Sequence, residues 1–154
     1  MNMSRIVRTV ADISFPFILI YGFYIVIHGH LTPGGGFQGG AVIATGVALL
    51  IAAHGHEAVA SQITGNLLKN AETFGLLLFI IMALVAIPLG LGFFTNWLAN
   101  TGMLFGTPVA FGAGAGDLNT AGVIPIMNIA VGIEVFGALS LIIYYMLSGT
   151  QEAR

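Results

Sequence analysis

Four apolar runs, at roughly 12–27, 38–53, 71–94 and 121–147, constrain this chain more than any other feature. Each is close to the about 20 residues that carry an α-helix across a bilayer core, the second being the shortest. Only 6% of the residues are charged and 57% are hydrophobic, whereas soluble domains carry about 25% charge. The expected fold class is therefore all-α: one membrane domain over residues 1–154 with four transmembrane helices. No small-residue cleavage site followed by a soluble stretch comes after the first run, which argues against a cleaved signal peptide.

Orientation follows from four cations. Arg5 and Arg8 precede the first run, Lys69 lies between the second and third, and Arg154 is the last residue. The positive-inside rule then places the N-terminus, the middle loop and the C-terminus in the cytoplasm, and the protein in the cell membrane as a multi-pass chain. The absence of cysteine excludes thiolate ligands and disulfides. A net charge of −2 and so few cations leave no basic stripe, so nucleic acid is excluded as a partner.

Two stretches leave the bilayer. EAVASQITGNLLKN, residues 57–70, spaces Val59, Ile63 and Leu67 at i, i+4, i+8, the pattern of an amphipathic helix lying on the membrane surface. Residues 95–120 carry Gly102, Gly106, Gly112, Gly114, Gly116 and Pro108, which read as irregular backbone. Trp97 reads there as an interface anchor and Asp117 as a turn residue.

The most unusual stretch is HGHLTPGGGFQGG, residues 28–40. It lacks the lysine of a phosphate-binding loop and the strand that precedes a dinucleotide fingerprint, so nucleotide binding is set aside. His28 and His30 are separated from His54 and His56 by a whole span, about 25 Å of helix, too far to share a metal or haem. What remains is a tight turn. Pro33 would keep the first helix from continuing, Gly34, Gly35 and Gly36 would permit left-handed backbone angles, and Gly36, Gly40 and Ala44 would form a small-residue stripe for close helix packing.

The run from His30 through Pro33, Gly34, Gly35, Gly36, Phe37, Gly39 and Gly40 to Ala41 resembles the signature of the MnhB family, the B subunits of Mrp-type multisubunit sodium/proton antiporters. AGVIPIMNIAVGIEVFGALSLI, residues 121–142, resembles the C-terminal helix of the same family. The resemblance implies a small non-catalytic membrane subunit that scaffolds, and could line, a path for Na+ and H+. It implies no cofactor in this chain, and partners that include other small membrane subunits and large complex-I-like subunits. Homologous modules are built into membrane-bound hydrogenases and related sulfur-reducing complexes, which makes a redox-driven ion pump the alternative setting. A purely structural assembly subunit is a further reading. An autonomous enzyme is not expected: neither GxSxG nor HExxH occurs, and His56-Glu57 lacks the second histidine.

Glu134, near the middle of the fourth run, is the first candidate for an ion or proton path, because a carboxylate at mid-bilayer must be neutral, paired or facing water. Its face includes Met127, Ala138, Leu141 and Tyr145, so its partner is expected from another helix or subunit. Tyr21, Tyr24 and His28 fall at i, i+3, i+7 on one face, either as a proton relay with His30 nearby or as an aromatic belt at the interface. Asp12 and Glu72 are expected at helix N-termini, favoured by the helix dipole, and secondarily as ion entry points. His54, His56 and Glu57 are expected as a solvated interface cluster.

Overall fold

A computed structural model of the chain describes residues 3–99, 101–104, 106 and 121–152, with side chains to 148. Asp117, Pro108, Gly112, Gly114, Gly116 and Arg154 lie outside the described residues. The described part is all helical, with α1 (Arg5–Ile27), α2 (Gly35–His54), α3 (His56–Ala60), α4 (Gly65–Leu84) and α5 (Ile124–Glu152). All but α3 are long and apolar enough to cross a membrane.

Several boundaries differ from the hydropathy reading for local reasons. Ser4 caps α1, its hydroxyl accepting from the Val7 amide at 3.4 Å, so the helix starts seven residues before the apolar run. Asp12 consequently sits in the third turn and not at a helix N-terminus. Thr64 caps α4 by accepting from the Leu67 amide, which likewise leaves Glu72 in the third turn. That cap also divides the supposed surface helix at 57–70. Val59 is buried in α3, Ile63 lies in a turn, and Leu67, on α4, is exposed.

The third span ends at Leu84, ten residues early, because Pro88 has no amide for the Leu84 carbonyl and its ring clashes with that group. Residues 85–99 instead fold back in turns. The Phe94 amide donates to the Ala83 carbonyl, and the Trp97 indole donates to the Met82 carbonyl at 3.2 Å. Trp97 thus ties this segment to the end of α4, in a cluster with Met82, Leu98 and Val123.

The four long helices stand side by side in the order α1, α2, α5, α4. The central pair runs parallel, and each outer helix runs antiparallel to its inner neighbour. Small residues make this single layer possible. A methyl at Gly40 would come within 2.5 Å of the Gly132 carbonyl of α5, and one at Gly39 within 2.7 Å of the Gly22 carbonyl of α1. On the far side of α5, methyls at Gly75 and Gly137 would collide with the backbone at Glu134 and Glu72. α2 therefore has two glycine flanks, one for each neighbour, where the sequence reading recognised one.

Gly40→Ala is expected to destabilise the protein by about 1–3 kcal/mol, the usual cost of overpacking, and Gly40→Leu to block assembly. At Gly92 an added methyl would meet only the Thr95 hydroxyl at 3.4 Å, so Gly92→Ala should be neutral. Thermal unfolding in detergent checks this; equal midpoints for Gly40→Ala and the unaltered chain would contradict it.

Candidate functional site

The stretch 28–40 is not a loop of free glycines. α1 ends at Ile27 with His28 as its cap, six residues before Pro33, so the proline does not stop that helix. Of the glycines at 34–36, Gly34 alone is left-handed, at φ +78, where it caps α2. Gly35 and Gly36 already belong to the first turn of α2 and are buried. Their role is close approach: a methyl at Gly35 would strike the Gly29 Cα, and one at Gly36 the Asn128 carbonyl.

Asn128 of α5 is the residue that holds this turn. Its side-chain oxygen accepts from the Gly36 amide at 2.7 Å, and its side-chain nitrogen donates to the Val26 carbonyl. One amide thereby satisfies an unpaired N–H at the start of α2 and adds a second donor to the Val26 carbonyl at the end of α1, which also accepts from the Gly29 amide at 3.2 Å. At membrane depth such groups have no water to turn to. Sequence reasoning passed over Asn128, although a lone amide inside an apolar run is itself a signal of interhelical bonding. Asn96 was missed in the same way. It donates to the Ala121 carbonyl and accepts from the Val123 amide at 2.8 Å, fixing the entry to α5.

Beside this hub lies an open depression of about 250 Å³, floored by Gly36 and Asn128 and walled by Phe37, Phe79 and Met127. Glu134 lies two turns along from Met127 on the same face of α5, at about 100° per residue. It is half-buried, with α2 and α4 flanking its helix, and makes no hydrogen bond or ion pair among the described residues.

The other expected site residues fall into separate places. Tyr21 and Tyr24 are exposed on α1, and the Tyr24 ring lies 4.4 Å from that of His28. His28 Nδ1 is 3.0 Å from the Tyr24 carbonyl, an acceptor, which places the imidazole hydrogen on Nδ1. Among the described residues no hydrogen bond or ring contact joins this stripe to Glu134. His30 is half-buried at the same end of the layer, close in sequence to the glycine turn.

At the opposite end, His54 pairs with Asp12. His54 Nε2 donates to Asp12 Oδ1 at 2.7 Å, clipping the end of α2 to the third turn of α1. His56 does not join them; its ring packs on Tyr144 of α5 at 4.7 Å, while Glu57 is exposed. The two histidine pairs therefore sit at opposite ends of α2, a helix of 20 residues or about 30 Å. Among the described residues no group of three acidic or histidine side chains is placed to hold a metal.

Comparison with known proteins adds the context. A family model described as a domain related to the MnhB subunit of Na+/H+ antiporter matches residues 6–153. An uncharacterised protein of Methanocaldococcus jannaschii is 34% identical over 120 residues, 77% of this chain and 43% of that protein. The B subunit of the Na+/H+ antiporter of Bacillus subtilis is 32% identical over 91 residues, 59% of this chain and 63% of that protein. Among solved structures, a chain of the membrane-bound sulfane sulfur reductase, an archaeal respiratory membrane complex, matches with a TM-score of 0.73 and 35% identity. That match covers 96% of this chain and 59% of that one. This chain thus spans less than two thirds of the length of each of these relatives.

Asn128→Leu should strand the Gly36 amide, at about 1–3 kcal/mol for an unsatisfied buried group, and leave the Val26 carbonyl with the Gly29 amide alone. The expected result is faster hydrogen exchange at Gly36 and a lower unfolding midpoint. Unchanged exchange there would contradict the role given to Asn128.

Proposed function

The chain belongs to the family of domains related to the MnhB subunit of Na+/H+ antiporters, and from that premise we propose that it is a membrane subunit, without catalysis of its own, of a sodium/proton antiporter-type module. The observation that carries the reading is Glu134: a half-buried carboxylate in the middle of a membrane-length helix, beside the close contact with Gly75 of α4, with no hydrogen bond or ion pair among the described residues. Such a group is costly in hydrocarbon and is retained where it meets water, an ion or another subunit. The flat arrangement supports the same reading, because a single layer of four helices leaves both broad faces available to neighbouring membrane subunits. The large complex-I-like subunits are the neighbours proposed here, with Na+ and H+ as the transported ions.

In this role the glycine flanks and the Asn128 hub keep the scaffold rigid, and Glu134 presents a protonatable oxygen to the path. Tyr24 and His28 could pass a proton along the outer face of α1, with Tyr21 and His30 adjoining. The proposed setting is the cell membrane, with the N-terminus, α3 and the C-terminus in the cytoplasm on the strength of Arg5, Arg8, Lys69 and Arg154. A second reading has the same module coupled to redox chemistry, and it is favoured by the 96% coverage of this chain by a subunit of a respiratory complex.

Glu134→Gln is expected to leave the yield of the complex unchanged while lowering sodium-dependent proton exchange in inverted vesicles by about tenfold or more, as loss of a positioned proton carrier does. Glu134→Asp should keep part of the activity. Full exchange by the glutamine variant would reduce Glu134 to a packing residue and remove the main support for the reading.

A further inference from the structure

On the face of the layer opposite Glu134, α1 leans over α2 and α5 and leaves a groove of about 390 Å³ whose lining is wholly apolar. Phe15 and Leu19 of α1, Val47 of α2, Ile63, and Ile133 and Phe136 of α5 form most of its walls. Along α1 the groove runs from Phe15 to Ile27, twelve residues or about 18 Å. One leaflet's share of the hydrocarbon core is about 15 Å. A narrow, wholly apolar trough about one leaflet long is the shape that an acyl chain fills.

Toward the N-terminus the groove adjoins three polar side chains. Ile63 is shared with an adjoining pocket of about 260 Å³ lined by Asp12, His54 and Gln62. Arg8 lies seven residues before Phe15, hence on the same face of α1, about 10 Å further toward that end. It is half-buried, and its Nε is buried without a hydrogen-bond partner. Asp12, one turn along α1, pairs with His54, and Arg8 forms no ion pair among the described residues. Arginine pairs with phosphate through several donors at once.

We propose that this groove is a binding site for one anionic phospholipid of the leaflet on the N-terminal side, an acyl chain lying between α1, α2 and α5 and the phosphate meeting Arg8. The 10 Å between Arg8 and the start of the apolar lining is the span of a phosphoglycerol and its ester. This site is independent of the role given to Glu134, which lies on the other face.

The test is native mass spectrometry of the full chain, extracted in mild detergent and exchanged against an equimolar mixture of phosphatidylglycerol and phosphatidylethanolamine. The expected spectrum shows a single retained lipid, phosphatidylglycerol favoured several-fold. Arg8→Gln should keep a lipid but lose the preference. Ile133→Trp, which fills the groove, should lose it, whereas Ile142→Trp on an exposed surface should not. No retained lipid, or the same retention by Ile133→Trp, overturns the site. A preference that survives Arg8→Gln overturns the headgroup assignment. In the intact complex, a photo-crosslinker at Leu19 that captures another protein's helix instead of lipid also overturns the proposal.

Discussion

The structure depends on how closely three backbones come together along α2. That helix is flanked on both sides, and each flank is glycine where the approach is tightest: Gly36 and Gly40 toward α5, Gly39 toward α1 and Gly35 toward Gly29 in the turn that follows it. Close approach substitutes for the hydrophobic drive that is missing when the solvent is itself apolar. Glycine costs helix stability, about 1 kcal/mol per residue relative to alanine in a soluble setting. The packing of α2 between its neighbours has to offset that cost, so the motif makes physical sense only inside the layer.

The same constraint explains Asn128. Three helices converge where α1 ends and α2 begins, and their terminal N–H and C=O groups need partners that lipid cannot supply. A single side-chain amide offers both a donor and an acceptor, and the glycines let it reach each backbone. Once that junction is fixed, the register of α2 on α5 follows, and with it the position of Glu134 six residues further along α5. The scaffold and the candidate path are thus linked through one helix, α5, which turns Asn128 toward α2 and Glu134 toward α4, not through contacts between the ionisable residues themselves.

Much of this was legible in the residues and part was not. The four long apolar runs announced the four membrane-length helices, and GGGFQGG announced a close-packed turn. Helix ends were harder, because hydropathy is blind to caps: Ser4 and Thr64 start helices inside polar sequence, and Pro88 ends one inside apolar sequence. Asp12 and Glu72 moved into helix interiors as a result. The bond from His54 to Asp12 crosses 42 residues and follows only from the antiparallel register of α1 and α2. A second glycine flank, Gly39 with Gly22, was visible as composition but had no assigned neighbour until the helix order was known. Asn128 was present in the stretch compared with the family's C-terminal helix, yet nothing in its spacing says which two backbones it joins.

A flat, half-covered layer that carries the unpaired Glu134 in mid-helix and an apolar groove on its other side is built to be enclosed by other membrane components. The most direct measurement of that claim is quantitative mass spectrometry of everything that remains with the chain after purification in a gentle detergent. The account predicts stoichiometric recovery with large multi-span membrane subunits. Accompanying metal-cluster proteins would specify the redox-driven form of the module. Recovery as a solitary, monodisperse chain would contradict it.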